Sequence, residues 1–303
     1  MGIVADWAQA IKLAAVRSVG RGRRTVRLGP PAADAVPVGV DTNRPSVARV
    51  YDYLLGGHNN FVVDRQVAER AIQVNPDAPA AALASRAFVQ RAVRYLASEA
   101  GIRQFLVLGS GLPTQGNVHE VARAIDRRAR VVYVDNDPMV LVHSRALLAR
   151  DSKAIVVQAD IREPDLVLTH PDLGRHLDFK RPIGLLLLAI LHHFNDHEDP
   201  AGIARRYREA LPSGSYVAVS HFVNPGEENP AAARRALTVE KLFADSLGTG
   251  RFRMWDEILG YFGDFDLVEP GLVPLPEWRP DPWDRSQQSH TYSTFVGGVG
   301  RKR

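Results

Sequence analysis

The sequence predicts an α/β fold: a mostly parallel, Rossmann-like sheet covered on both faces and preceded by an N-terminal helical cover. Three observations carry this expectation. From about residue 101, short apolar runs alternate with stretches of helical period, as expected of strands buried on both faces by crossover helices. A Gly-rich turn follows the first apolar run, and the next two lead into aspartates. Residues 41–100 show helical rather than strand periodicity.

Taken in order, residues 1–40 carry Arg17, Arg21, Arg23, Arg24 and Arg27, then turn rich in Ala, Pro and Gly. They read as a basic, flexible arm ending near Pro37. Residues 3–16 could form an amphipathic helix but lack the apolar segment and cleavage site of a secretory signal. In the helical cover, 41–100, Ser46 is placed to cap a helix with Val47, Val50, Tyr51 and Leu54 on one face, stopped by Gly56 and Gly57. A second helix is expected over 63–73. A third is expected over 80–99, with Phe88, Val89, Ala92, Val93 and Leu96 on one face. The sheet domain, 101–303, begins with a strand at 104–108, and Val118, Val121, Ala122 and Ile125 mark the helix after it. A second strand covers 131–134, and Asp137-Pro138 opens the next helix with Asp as cap and Pro in the first turn. Strands three to five are expected at 154–158, 183–189 and 215–220, with a helix through Ile203, Tyr207, Ala210 and Leu211 before the fifth. Residues 265–268 and 290–296 are candidates for the sixth and seventh.

The totals narrow the classes of function. The chain has 303 residues, 45% of them hydrophobic, enough for a full core. It has no cysteine, which excludes disulfides, thiolate nucleophiles and cysteine-ligated metals. The longest apolar run, 183–191, is far short of the ~18–20 residues that a membrane span needs. The formal charge is +4, and most of the basic excess lies in the arm, which argues against nucleic acid as a partner. A cytoplasmic protein with no membrane contact is expected.

Ligands of such sheets bind outside the carboxyl ends of the strands. The first turn reads Leu108-Gly109-Ser110-Gly111-Leu112-Pro113-Thr114. Gly109 and Gly111 permit positive φ and close approach of a ligand to the backbone. A G-x-G alone is weak support, since a tight turn that binds nothing needs the same glycines. Asp135, 24 residues beyond Gly111 at the tip of the second strand, strengthens it: an acid there is placed to accept both hydroxyls of a ribose. Asp160 and Ile161, after the third strand, suit an adenine amino group and ring, though an Asp there could equally be only a cap or turn residue. Ser110 and Asn136 flank these positions and join the candidate set. A dinucleotide would want a third glycine where Thr114 stands, so a pyrophosphate is poorly provided for.

At this point the residues resemble a known family. RPSVARVYDYLLGGHNNFVVDR (44–65), GIRQFLVLGSGLPTQGNVHEVA (101–122), ARVVYVDNDPMVLVHSRALL (129–148), LLLLAILHHFNDHEDP (185–200), LPSGSYVAVSH (211–221) and LVEPGLVPLPEWRP (267–280) are similar to the actinobacterial S-adenosylmethionine-dependent methyltransferases once classed as a domain of unknown function. The resemblance covers residue 41 to the C-terminus. It implies a class I methyltransferase sheet of seven strands with the last antiparallel. It also implies S-adenosyl-L-methionine as cofactor and a helical segment over it. One departure stands out: the family's acidic residue two positions before the first glycine is Val107 here. Asp64, Arg86 and His119 are possible substitutes in holding the methionine end.

Methyl transfer needs alignment more than catalytic groups, and a base only if the acceptor must lose a proton. The tip of the fourth strand reads Leu191-His192-His193-Phe194-Asn195-Asp196, and His192 and His193 are the candidate bases, with imidazoles that titrate near neutrality. A histidine at a strand end also often only bonds backbone, and His221 has the same two readings. His192, His193, Asp196, His197 and Glu198 lack the helical spacing of a metal site, so no metal is expected. Tyr51, Tyr53 and the run 56–61 suit a lid, with Tyr53 and Asn59 reaching the cofactor, or else a plain helix–helix connection. Trp255, Tyr261, Phe262 and Trp278 could line a flat acceptor's pocket or belong to the core. The expected activity is methyl transfer to a small-molecule acceptor. The alternative is a non-catalytic regulatory protein that binds S-adenosylmethionine or a nucleoside, suggested by Val107.

Overall fold

A computed structural model describes residues 36–114, 116–281 and 292–303. The basic arm up to residue 35 and the expected strand start at His290 lie outside the described residues. Pro37–Arg303 form one compact unit.

Three helices lead: α1 (Val47–Leu54), α2 (Val62–Val74) and α3 (Ala78–Ser98). The sheet then builds through β1 (Gln104–Leu108), α4 (Val118–Ile125), β2 (Arg130–Asp135), α5 (Pro138–Leu148), β3 (Ala154–Gln158), α6 (Pro164–Leu168), α7 (Pro171–His176), β4 (Gly184–Leu188), α8 (Pro200–Glu209) and β5 (Tyr216–Phe222). It closes with α9 (Pro230–Leu247), α10 (Trp255–Gly260), β6 (Asp266–Leu267), β7 (Val273–Pro274) and β8 (Phe295–Arg301). The strand order is β3-β2-β1-β4-β5-β8-β6, with the two-residue β7 also on β8. β1 through β5 pair in parallel, as in Leu106↔Val132 and Leu106↔Leu185. β8 runs antiparallel to β5, with Val219↔Gly298. The order reverses between β1 and β4, which is where such sheets hold ligands. This is the expected Rossmann-like class I sheet.

Strand side chains alternate between two cores, as a period of two requires. Leu106, Leu108, Val132 and Val134 pack with Ile203 and Tyr207 of α8 and Ile258 of α10. Phe105, Val107, Val131 and Tyr133 pack with Phe88, Val89, Ala92, Val93 and Leu96 of α3. The third N-terminal helix is thus a layer of the sandwich. α1 and α2 instead pack against α9 through Val50, Val67, Ala71, Val239 and Phe243.

Local chemistry explains the boundaries. Asp137 caps α5, accepting from the Met139 amide at 2.8 Å, and Pro138 occupies the first turn. Ser46 stands at the N-cap of α1 but makes no cap bond; its hydroxyl donates instead to Asp137 Oδ2 at 2.5 Å. α9 does not stand out in the apolar pattern because its buried stripe is thin: Ala232, Ala236, Val239 and Phe243. It starts on Asn229, which accepts from the Ala232 amide at 3.1 Å, and stops at Gly248 with φ 73°. The closing strand begins at Phe295, later than the 290–296 read from the sequence.

Candidate functional site

A cavity of about 650 Å³ opens along the carboxyl ends of the strands, within the ordinary range for small-molecule sites. The strand order sets out its lining. Asp160 and Ile161 follow β3, Asp135 and Asn136 end β2, and Gly109–Gly111 follow β1. Ala189, Ile190, His192 and His193 follow β4, while Phe222 ends β5 and Phe295 starts β8. Polar groups therefore gather at one end and aromatic rings at the other.

At the polar end the glycines are required. Gly109 has φ 69°, and a Cβ there would lie 2.4 Å from Ile190 Cγ1. Gly111 has φ 64° with open space where its Cβ would stand. Asp135, buried, staples this turn to its own strand: Oδ2 accepts from the Gly111 amide at 2.9 Å and Ser110 Oγ at 3.3 Å, and Oδ1 from the Asp137 amide at 3.0 Å. Burial raises its pKa, against the pull of the Asp137 and Gly111 amides. A carboxylate offers about four acceptor positions. The expected double bond to a ribose therefore contracts to room for about one more. Asp160 is gripped by Arg162 through Nε at 2.9 Å and Nη2 at 2.6 Å, and by Asn136 Nδ2 at 3.3 Å. These bonds, from Arg162 first, hold its carboxyl below the usual range. Arg162 Nη1 reaches on to Glu198 at 3.0 Å, so the clamp crosses to the turn after β4.

At the other end, β4 leaves through Ala189 in the left-handed region, φ 54°, a strained conformation for a residue with a side chain. A short 3₁₀ turn, Leu191–His193, follows. His192 is fully enclosed and stacks on Phe222, with ring centroids 3.8 Å apart. Its Nδ1 accepts from the Phe222 amide at 3.4 Å, which puts the proton on Nε2. Burial first, then its cationic and imidazole neighbours, pushes its pKa well below the ordinary 6.5. His193 is pushed down to about 4 by burial, and its Nδ1 is buried with no hydrogen-bond partner. His221 does not line the cavity. It bonds the Phe222 carbonyl through Nδ1 at 2.6 Å, and its Nε2 faces Arg253 Nη1 at 3.2 Å. Arg253 also donates to the carbonyls of Leu191 at 3.3 Å and Phe194 at 2.8 Å and to Asp196 at 2.8 Å, locking the histidine turn. Asp196 and Glu198 are thus bound to arginines, and among the described residues no group of three or more His, Asp or Glu could hold a metal.

The helical cover contributes through α1 and α3. Ser46, Val47, Val50, Tyr51 and Leu54 line the cavity, as do Ser85 and Arg86. Tyr51 donates to the Ala82 carbonyl at 3.1 Å, and Arg86 Nε is buried without a partner. Tyr53 and Asn59 fall outside the lining. Tyr53 points to exposed Glu69 at 3.1 Å. The Asn59 amide and Asn60 Nδ2 wrap the Asp52 carboxylate at 2.8 and 2.9 Å, so the Gly-rich run is a helix–helix connection. Asp64 is likewise spent on Arg49 at 2.9 Å, and His119 on the Tyr133 hydroxyl at 2.8 Å. Of the three possible substitutes for the missing acid, Arg86 alone lines the cavity. Trp278, Phe262 and Tyr261 are core, and Trp255 is 40% exposed outside it. The aromatic lining comes instead from Phe222, Phe243 and Phe295. These meet only in three dimensions, so nothing in their spacing singled them out.

Similarity to known proteins follows the same frame. The family model described as S-adenosyl methyltransferase matches residues 34–303. A candidate methyltransferase from Thermobifida fusca YX is 44% identical, with a TM-score of 0.82 over 88% of this chain and 98% of its own. A DUF574 family protein from Streptomyces avermitilis MA-4680 is 38% identical, with a TM-score of 0.81 over 87% of this chain and 99% of its own. No curated protein matches. Among the described residues no helix is long and apolar enough to cross a membrane. With the match running unbroken through the helical cover and the sheet, the chain belongs to the S-adenosyl methyltransferase family and takes S-adenosyl-L-methionine as its cofactor.

Proposed function

We propose that the protein transfers the methyl group of S-adenosylmethionine to a small-molecule acceptor held at the aromatic end of the cavity. The observation that carries this reading is continuity: one cavity of about 650 Å³ runs from Asp160 to Phe295, so a cofactor at one end and an acceptor at the other would meet beside His192 and His193. The residues fit the cofactor. Gly111 leaves open space over the turn, Asp135 keeps acceptor capacity for a ribose hydroxyl, and Ser110 and Asn136 stand beside it. Asp160 and Ile161 suit the adenine edge and ring. Arg86, unpartnered at Nε, offers a cation to the methionine carboxylate on a chain that has Val107 in place of the usual acid.

When bound, the cofactor supplies a methyl carbon activated by its sulfonium. The protein's own part is alignment and exclusion of water. His193, which lines the cavity and is neutral at physiological pH, is the candidate base for an acceptor proton. His192, with Nδ1 engaged by backbone, serves better as a wall.

The test is calorimetric titration with S-adenosylmethionine and S-adenosylhomocysteine. Micromolar binding, weakened at least tenfold by Asp135→Ala and by Arg86→Leu, is expected; tenfold is ~1.4 kcal/mol, about one hydrogen bond to a charged group. Unchanged affinity in both variants would overturn the placement.

A further inference from the structure

We propose that Ser220, which does not itself line the cavity, is a positioning residue for the cofactor: through the Ala189 amide it holds Ile190 against the Gly109 turn. This rests on the placement of S-adenosylmethionine at that turn above and adds a residue to the same site.

Ala189 lines the cavity and has φ 54°. The left-handed region brings a Cβ close to the following carbonyl oxygen, a cost that glycine escapes. Residues held in this way persist only where their surroundings enforce it, and they gather at functional sites. The enforcement comes from β5. The Ala189 amide donates to Ser220 Oγ at 2.9 Å and to the Ser220 carbonyl at 3.2 Å. Ser220 is fully buried and stands opposite Leu188 in the register of β4 and β5. Any residue at this position could offer the carbonyl. The shorter bond needs a hydroxyl.

The result of the turn lies on the other side of β4. Ile190 follows directly and fills the space over Gly109, where a Cβ would lie 2.4 Å from its Cγ1 and 2.5 Å from its Cδ1. The Ile190 carbonyl accepts from the His193 amide at 2.9 Å and so opens the 3₁₀ turn Leu191–His193. One residue therefore braces the glycine turn and starts the histidine turn, and Ile190, His192 and His193 all line the cavity. The strands β1, β4 and β5 are consecutive in the sheet. The contacts from Ser220 through Ala189 and Ile190 to Gly109 thus cross the point where strand order reverses. If Ala189 relaxes to extended backbone, Ile190 leaves Gly109 and the glycine turn loses its support.

The test measures the affinity of the full chain for S-adenosylhomocysteine by calorimetry. Ser220→Ala is expected to weaken it at least about fivefold, the scale of one strained residue. Adding Ala189→Gly to Ser220→Ala should restore it to within about twofold of wild type, because glycine takes the left-handed conformation without a hydroxyl to hold it. Ile190→Ala should also weaken binding, and combining it with Ser220→Ala should cost less than about twofold more, since residues acting through one contact are not additive. A smaller loss in Ser220→Ala, a loss that Ala189→Gly does not restore, or additive losses overturn the inference while the cofactor reading stands. If Ser220→Ala does not fold, the variant that also carries Ala189→Gly decides: folding with restored affinity supports the inference, and any other result overturns it. Failure of the wild-type chain to bind S-adenosylhomocysteine overturns the cofactor placement as well.

Discussion

At the tips of β1, β2 and β3, Ser110, Asp135, Asn136, Asp137 and Asp160 all bond one another or a neighbouring residue. At the tips of β4, β5 and β8, His193 and Thr249 stand among phenylalanines with orphaned atoms. The first end is built before any ligand arrives, its turn and carboxylates held by backbone amides, so little ordering is left for binding to cost. The second is lined by the rings of Phe222, Phe243 and Phe295. The contrast matches the two tasks: one molecule is held in the same way at every turnover, while the other must enter, react and leave.

Acid breaks the comparison most severely. Burial holds His193 at about 4 and His221 at about 3, with His192 also well below 6.5. The unfolded chain therefore binds more protons than the folded one between about pH 6.5 and 4. This stability is fully present above about pH 6.5 and is lost as the pH falls, by roughly 2 kcal/mol each for His193 and His221 at pH 5. Urea midpoints measured at pH 7, 6 and 5 should fall steeply; a flat series would mean that the rings are solvated. At the polar end the directions oppose each other, since the pKa of Asp160 is lowered while burial raises that of Asp135.

Gly109→Ala strikes the polar end. It combines a left-handed backbone with a Cβ against Ile190, and should cost about 3 kcal/mol, strain and overpacking together. Equilibrium unfolding checks this; a loss below about 1 kcal/mol would show that Ile190 yields freely. The smallest effect is expected where the two ends are joined. Arg162 and Glu198 form a partly exposed pair, and such pairs contribute about 0.2–1 kcal/mol. Glu198→Gln should leave cofactor affinity within threefold in calorimetry; a larger change would make the clamp part of the binding site.

The polar end was largely legible in the sequence because its signals are local. A Gly turn after an apolar run, an acid at the tip of the next and an Asp-Pro helix start all act within a few residues of one another, and β1 through β5 fall where the apolar runs lie. The aromatic end was not. Phe222, Phe243 and Phe295 come from β5, α9 and β8, and only the fold brings them together. Trp278, conspicuous in the sequence, fills the core between Phe88 and Tyr95. Tyr51 and Tyr53 show the limit on a finer scale: residues two apart on a helix point about 200° from each other, so one enters the cavity and the other meets solvent. α9 was readable after all from Asn229-Pro230 and Gly248, but only by weighting caps above a thin apolar stripe.

The bond from Ser46 to Asp137 joins the first turn of α1 to the tip of β2. α1 supplies Val47 and Tyr51 to one wall of the cavity, and β2 supplies Asp135 to another. A molecule held between these walls shares its binding free energy with the docking of the helix. At a hundred times its Kd it adds ~2.7 kcal/mol to the bound state, and that increment opposes any opening that parts α1 from β2. Amide protons of α1 should then exchange with deuterium more slowly once S-adenosylhomocysteine is added. Their protection becomes a gauge of occupancy that needs neither an acceptor nor a turnover.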